Sequence, residues 1–253
     1  NNSLDINNGS ITYGIWINDM NSMDEVAFAD HMVLNSDNED RWNLRKLEDG
    51  SIKFGMQNRE NGINNECFVQ SSFTFDNSLH FIVVSFSYDD MIMKIYVDGI
   101  LDAVQECFQF ENTSINPNGS FQIGKYGDDS GTYLNASINS VILYDESLSD
   151  AEILALYNNE TIIENQVAYY KFNQGGESLF PNILIDHSGN ENHGIIHGAT
   201  WIENSILGCL DELACNYNEE ATERDDSCDY SCHDNGDFSL SFDGVDDWVQ
   251  ISD

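Results

Sequence analysis

The chain has 253 residues, 41% of them apolar and 11% aromatic, enough for one large β domain or two modest ones with a real core. Forty-five acidic residues face nine basic ones, a formal charge of -36. That balance excludes nucleic acid and anionic membrane surfaces as partners, because both need a basic face.

Such a surface repels itself, and a divalent cation would relieve part of that repulsion, with calcium the natural candidate. No apolar run is long enough to span a bilayer. No signal peptide stands at the front, and Asn1 is not a start residue, so the expectation is a mature product or a window cut from something longer.

The predicted elements in chain order are mostly strands. In SITYGIWIN, Ile11, Tyr13, Ile15 and Ile17 share one face. Further strands are expected over 51–56, 67–75, 79–87 and 91–97, with 79–87 the long apolar run of a buried central strand. VDGI at 97–100 signals a tight turn, since Asp-Gly tolerates the positive φ of a type I′ hairpin. Residues 121–124 and 138–144 complete the set. Many short strands at regular spacing predict an all-β antiparallel sandwich of jelly-roll type. One short helix follows: Ser149 and Glu152 form a capping box ahead of Ile153, Leu156 and Tyr157. It is expected to cover one edge or end of the sandwich. VAYYKFN (167–173) and a last strand within 186–201 close the first domain, 1–207.

From Gly208 the text is poor in large apolar residues and dense in Asp, Asn, Glu and Cys. A segment of that kind, 208–236, needs disulfides or a metal to hold it. Six cysteines form two groups: Cys67 and Cys107, then Cys209, Cys215, Cys228 and Cys232. The even count and the clustering favour disulfides in an oxidising, extracellular setting. The spacing C-x5-C-x12-C-x3-C lacks the C-x2-C knuckle of zinc sites. Cys67 should pair with Cys107, each being on a separate predicted strand. The other four allow three connectivities. From Asp237 strand-like text returns and runs to Asp253.

LHFIVVSFSYDDMIMKIYVDGILDA and FQIGKYGDDSGTYLNASINSVILYDESLSDAEILALYN, over about 79–158, resemble the concanavalin A-like, laminin-G-like jelly rolls. VAYYKFN and DHSGNENHGIIHGATW resemble a segment that flanks such domains. LSFDGVDDWVQI resembles their opening strand, yet here it stands last. The cysteine segment resembles a repeat found between domains of large secreted surface proteins. The match runs from Gly208, Cys209, Asp211 and Ala214 through Asn216, Tyr217, Asn218 and Ala221 to Asp225, Asp226, Ser227 and Cys228, without the glycine of its Asp-Asp-Gly triplet.

The displaced opening strand shapes the functional expectation. Residues 237–253 read as a strand that completes a sandwich, with Phe242, Val245, Trp248, Val249 and Ile251 buried in it. The receiving sandwich could be that of an adjacent repeat or subunit, as in donor-strand complementation, giving a head-to-tail filament. The alternative receiver is the chain's own sandwich, since termini often lie close together, but open ends are edge liabilities and favour exchange with a neighbour. The leading expectation is therefore a non-catalytic structural repeat of an extracellular or cell-surface filament, joined to copies of itself. The alternative is an adhesin module binding glycan or protein ligands, a use the resemblance also implies. A polysaccharide-active enzyme ranks last.

Calcium needs clustered hard oxygen ligands. One candidate group is Asp186, Asn190 and Asn192 with Asp243, Asp246 and Asp247. The second is Asp211, Asn216, Asn218, Asp225 and Asp226. Some members of the resembled family bind calcium, which supports both. His193 and His197, four apart, would share one strand face. GDDSG at 127–131 lacks the spacing of a nucleophile loop and reads as a turn. Six N-x-S/T sequons begin at Asn1, Asn8, Asn112, Asn118, Asn135 and Asn159, possible glycan carriers in a eukaryotic source.

Overall fold

The computed structural model describes residues 9–19, 25–32, 39–60, 63–76, 78–111, 120–126, 133–159, 166–174, 180–202, 207–219, 221, 223–224 and 226–233. Contacts divide the chain into two units, Asn1–Thr200 and Trp201–Asp253.

The first unit is an antiparallel sandwich. Its six-stranded sheet has the order β11-β10-β1-β6-β7-β8. These strands are β1 (Ile11–Asp19), β6 (Leu79–Ser87), β7 (Ile92–Val97), β8 (Ile100–Glu106), β10 (Ala136–Tyr144) and β11 (Ala168–Tyr170). The five-stranded sheet has the order β5-β4-β3-β2-β9. It contains β2 (Val26–Met32), β3 (Glu39–Lys46), β4 (Ser51–Glu60), β5 (Ile63–Thr74) and β9 (Ser120–Ile123). The expected all-β jelly-roll class is what the chain adopts.

Alternation builds the core between the sheets. Ile11, Tyr13, Ile15 and Ile17 are fully buried, as their shared face predicts. From the other sheet come Trp42, Leu44, Ile52, Phe54 and Met56. Tyr13 lies 5.5 Å from Trp42 and 6.1 Å from Phe121, ring centre to ring centre, tying β1 to β3 and β9 across the sandwich.

The long apolar run of β6 has a specific cause. Ile82, Val84 and Phe86 alternate with Phe81 and Val83, and all five are buried. Phe81 and Val83 belong to a second core on the outer side of the six-stranded sheet, together with Tyr96, Ile142, Tyr144, Leu148 and Ile153. The helix α1 (Asp150–Tyr157) covers it, with Trp16 stacked on Phe81 at 5.0 Å and on Tyr157 at 5.6 Å. The helix thus lies on a sheet face, not on an edge or end. A strand covered on both faces cannot alternate, which is why β6 reads as continuous hydrophobe. The capping box is present: Ser149 N donates to Glu152 at 2.7 Å, and Glu152 N to Ser149 Oγ at 3.3 Å.

The Asp98-Gly99 turn has positive φ at both residues, 51° and 77°, as a type I′ hairpin requires. One side of the sandwich is closed where edge strands β5 and β8 meet. The Cys67–Cys107 disulfide joins them, with Cys107 just beyond β8. Ser72 donates to both oxygens of Asp102, from N at 2.8 Å and Oγ at 2.7 Å.

Sequence reading missed β2 and β3: charged residues mask the alternation in β3, and β2 is buried at every position from Val26 to His31 and so shows none. It also expected a fuller strand within 186–201. Only the short pair β12 (Ile183–Leu184) and β13 (Gly194–Ile195) forms there.

Among the described residues of the second unit, β14 (Leu207–Gly208) pairs in parallel with β15 (Glu223–Arg224). Two disulfides hold it, Cys209–Cys228 and Cys215–Cys232, selecting one of the three connectivities. Asp226 has φ 60°. Counting back from Ser227-Cys228, it occupies the place of the missing glycine, and Asp is among the few side chains that tolerate this backbone region.

Candidate functional site

The outer face of the five-stranded sheet is built by alternation in β3 and β4. Trp42, Leu44, Ile52, Phe54 and Met56 point inward, so Arg41, Asn43, Arg45, Lys53, Gly55 and Gln57 point outward. The register arranges them in cross-strand rows. Arg41 pairs with Gln57 and then Glu66. Asn43 pairs with Gly55 and then Phe68. Arg45 pairs with Lys53 and then Gln70.

Two features set this face apart. The first is charge: Arg41, Arg45, Lys53 and Arg59 are four of the nine basic residues, and all lie on the outward register of β3 and β4. The second is exposed aromatic surface. Phe68 is 47% exposed, and the Lys53 amine sits 3.7 Å from its ring centre. The Tyr126 ring lies 4.5 Å from the Arg41 guanidinium carbon and 5.3 Å from that of Arg45.

The arginines are fixed from the side of the neighbouring strand β2. Arg41 makes a forked pair with buried Asp30, at 2.9 and 2.6 Å, and Arg45 pairs with Glu25. Polar capacity is left over between them: Asn43 Oδ1 and Arg45 Nε are buried with no hydrogen-bond partner. Gly55 forms a notch in the middle row. A side-chain carbon there would meet only ordinary contacts, 3.7 Å from Asn43 Oδ1 and 3.8 Å from Phe68 Cβ. Aromatic surface, a notch and convergent polar groups are the components of a small-ligand site. Sequence reading did not find this face, although five of the nine basic residues fall between positions 41 and 59.

The sequence-predicted sites fall elsewhere. Asp186 is 6% exposed and is a hub for its own loop. Its oxygens accept from Tyr169 N at 2.8 Å, Ser188 N at 2.9 Å, Ser188 Oγ at 2.7 Å and Asn192 N at 3.0 Å. Burial pushes its carboxyl up, but these donors outweigh it and hold the group below the ordinary carboxylate range. The Asn190 and Asn192 amides donate to Val167 O, at 3.2 and 2.8 Å. In the second unit Asp211 accepts from Leu213 N and Tyr230 Oη, and Asn216 bridges Ser227 O and Asp229 N. Asn218 N donates to Cys209 O, and Asp226 pairs with Arg224. Among the described residues no group of three or more metal-binding side chains comes together. Asp225, Asp243, Asp246, Asp247, the assembly residues Phe242, Val245, Trp248, Val249 and Ile251, and Asn112 and Asn118 lie outside the described residues. Asn135 and Asn159 are exposed. His193 accepts the Asp186 N–H at 3.1 Å.

Similarity to known proteins follows the fold. A Bacteroides ovatus protein to which carbohydrate binding is ascribed superposes with TM-score 0.53 and 18% identity, over 74% of this chain and 51% of that one. The chain thus spans about half the length of that protein. The Ruminococcus gnavus IT-sialidase CBM40 bound to α2,3 sialyllactose gives 0.47 and 17%, over 59% and 82%. The binding domain of botulinum neurotoxin serotype C1 gives 0.42 and 18%, over 62% and 38%. At such identities the likeness is one of fold. No curated protein matches the sequence. A laminin-G-type profile, described as the concanavalin A-like lectin/glucanases superfamily, matches residues 1–154, and to that superfamily the chain belongs.

Proposed function

We propose that the chain is a non-catalytic, extracellular carbohydrate-binding module, and that saccharide sits on the outer face of the five-stranded sheet. The observation that carries this reading is the Asn43-Gly55-Phe68 row, where an exposed aromatic ring borders a side-chain-free notch with unspent polar groups beside it. A sugar ring stacks its C–H face on such an aromatic. Three disulfides support an oxidising location, and among the described residues no helix is long and apolar enough to cross a membrane. A glycan array with the intact chain tests the reading. Binding that falls at least about tenfold in Phe68→Ala is expected, given what burying one Phe contributes. An array with no hits, or hits indifferent to Phe68, overturns it, and turnover of a bound glycan would overturn the non-catalytic part.

A second reading, head-to-tail assembly through a donated strand, is favoured by a strand count. Counted from the disulfide side, the described six-stranded sheet ends in β11, with no described strand opposite it beyond β9. Residues 239–251 are the proposed occupant of that lane on a neighbouring copy. Oligomers that vanish on deleting 237–253 are expected; a monomer at every concentration would end the idea. Calcium remains part of both readings as a counter-ion of the -36 surface. Thermal stability should then rise with added calcium and fall with chelator; stability unchanged by either would remove it.

A further inference from the structure

We propose, resting on the carbohydrate-binding reading, that the preferred saccharide carries an acidic group, with Lys53 as its main contact and Arg45 beside it. With five acidic residues for every basic one, a cation in this chain should find a carboxylate. Arg41, Arg45, Lys94 and Arg224 each do. Lys53 makes no ion pair with any described residue, and its amine sits over an exposed aromatic ring.

That position matters chemically. A sugar stacked on Phe68 would bring a ring substituent beside the Lys53 amine, already held at the aromatic surface. Next in the same row stands Arg45, whose Nε–H is buried and unpartnered while its terminal nitrogen is held by Glu25. A neutral sugar would use Phe68 and Gly55 but would leave the Lys53 amine unused. The lysine point charge suits a carboxylate or a sulfate.

The experiment is calorimetry on the intact chain with matched saccharide pairs: sialyllactose against lactose, glucuronate-terminated against glucose-terminated, and sulfated against unsulfated galactosides. The acidic member of at least one pair should bind about tenfold more tightly, as expected for one charge-assisted contact. Lys53→Gln should remove that preference, and Gly55→Val should weaken binding of both members. Which pair responds separates carboxylate from sulfate. Equal binding of acidic and neutral members, or a preference that survives Lys53→Gln, overturns the inference and leaves the carbohydrate reading standing. Binding of no member overturns both.

Discussion

Cys67 and Cys107 join the edge strands of two different sheets, with their Cα atoms 5.7 Å apart at a sequence separation of 40. The bond closes one side of the sandwich and restricts a long loop of the unfolded chain. Replacing both cysteines with alanine should cost about 2–4 kcal/mol in thermal or denaturant unfolding. A change below about 0.5 kcal/mol would mean the edge contacts of Ser72 and Asp102 close that side unaided.

Gly99 is constrained twice. Its φ of 77° disfavours a side chain, and a Cβ would approach Leu154 and Tyr157 at 3.0 Å. Gly99→Ala should therefore destabilise by more than the ~1 kcal/mol of a positive-φ position alone. A loss no larger than that would show that α1 yields to the added methyl.

His80 sits between two carboxylates, Nδ1 at 2.8 Å from Asp98 and Nε2 at 3.0 Å from Asp76. Burial opposes its charged form, but the two partners raise it above the ordinary histidine value. The charged form therefore stabilises the fold fully below about pH 6.5, and this contribution is lost as pH rises through the raised value. Melting curves should show the gap between wild type and His80→Gln narrowing from pH 6 upward. A gap constant with pH would assign His80 a packing role only.

Asp186 behaves in the opposite sense. Its lowered carboxyl contributes above about pH 3.9 and loses that contribution as pH falls through the native value. Asp186→Asn sets an amide against N–H donors. It should loosen the 186–192 loop, seen as faster amide exchange at Tyr169, Ser188 and Asn192. Unchanged exchange would contradict its place as the loop's hub.

These elements differ in how plainly the sequence announces them. Ile11 to Ile17, the Asp98-Gly99 turn, the Ser149–Glu152 box and the Cys67–Cys107 pair are local patterns, or nearly so, and each is present. Regular alternation hides behind charge in β3, where Arg41, Asn43 and Arg45 outnumber their apolar neighbours. The binding face was illegible for a related reason. Asn43, Gly55 and Phe68 become neighbours only through the registers of β3 with β4 and β4 with β5, which no spacing along the chain encodes. The acidic residues were conspicuous but uninformative: Asp186 and Asp211 look like ligands in sequence and serve as acceptors for their own loops.

Salt distinguishes the local charge of the face from that of the whole chain. A net charge of -36 repels an acidic saccharide at long range, whereas Lys53 attracts it at contact. Raising ionic strength from about 0.01 to 0.15 M shortens screening from about 30 to 8 Å. Affinity for the acidic saccharide should therefore rise over that interval, while neutral binding stays flat. A steady fall with salt would contradict this balance.

The most direct test of the binding face is a map of backbone amide shifts as saccharide is titrated into the isotope-labelled chain. The largest changes should cluster at Asn43, Arg45, Lys53, Gly55 and Phe68, with the six-stranded sheet and α1 unmoved. Saturable binding whose changes fall elsewhere, with β3, β4 and β5 silent, would contradict the account.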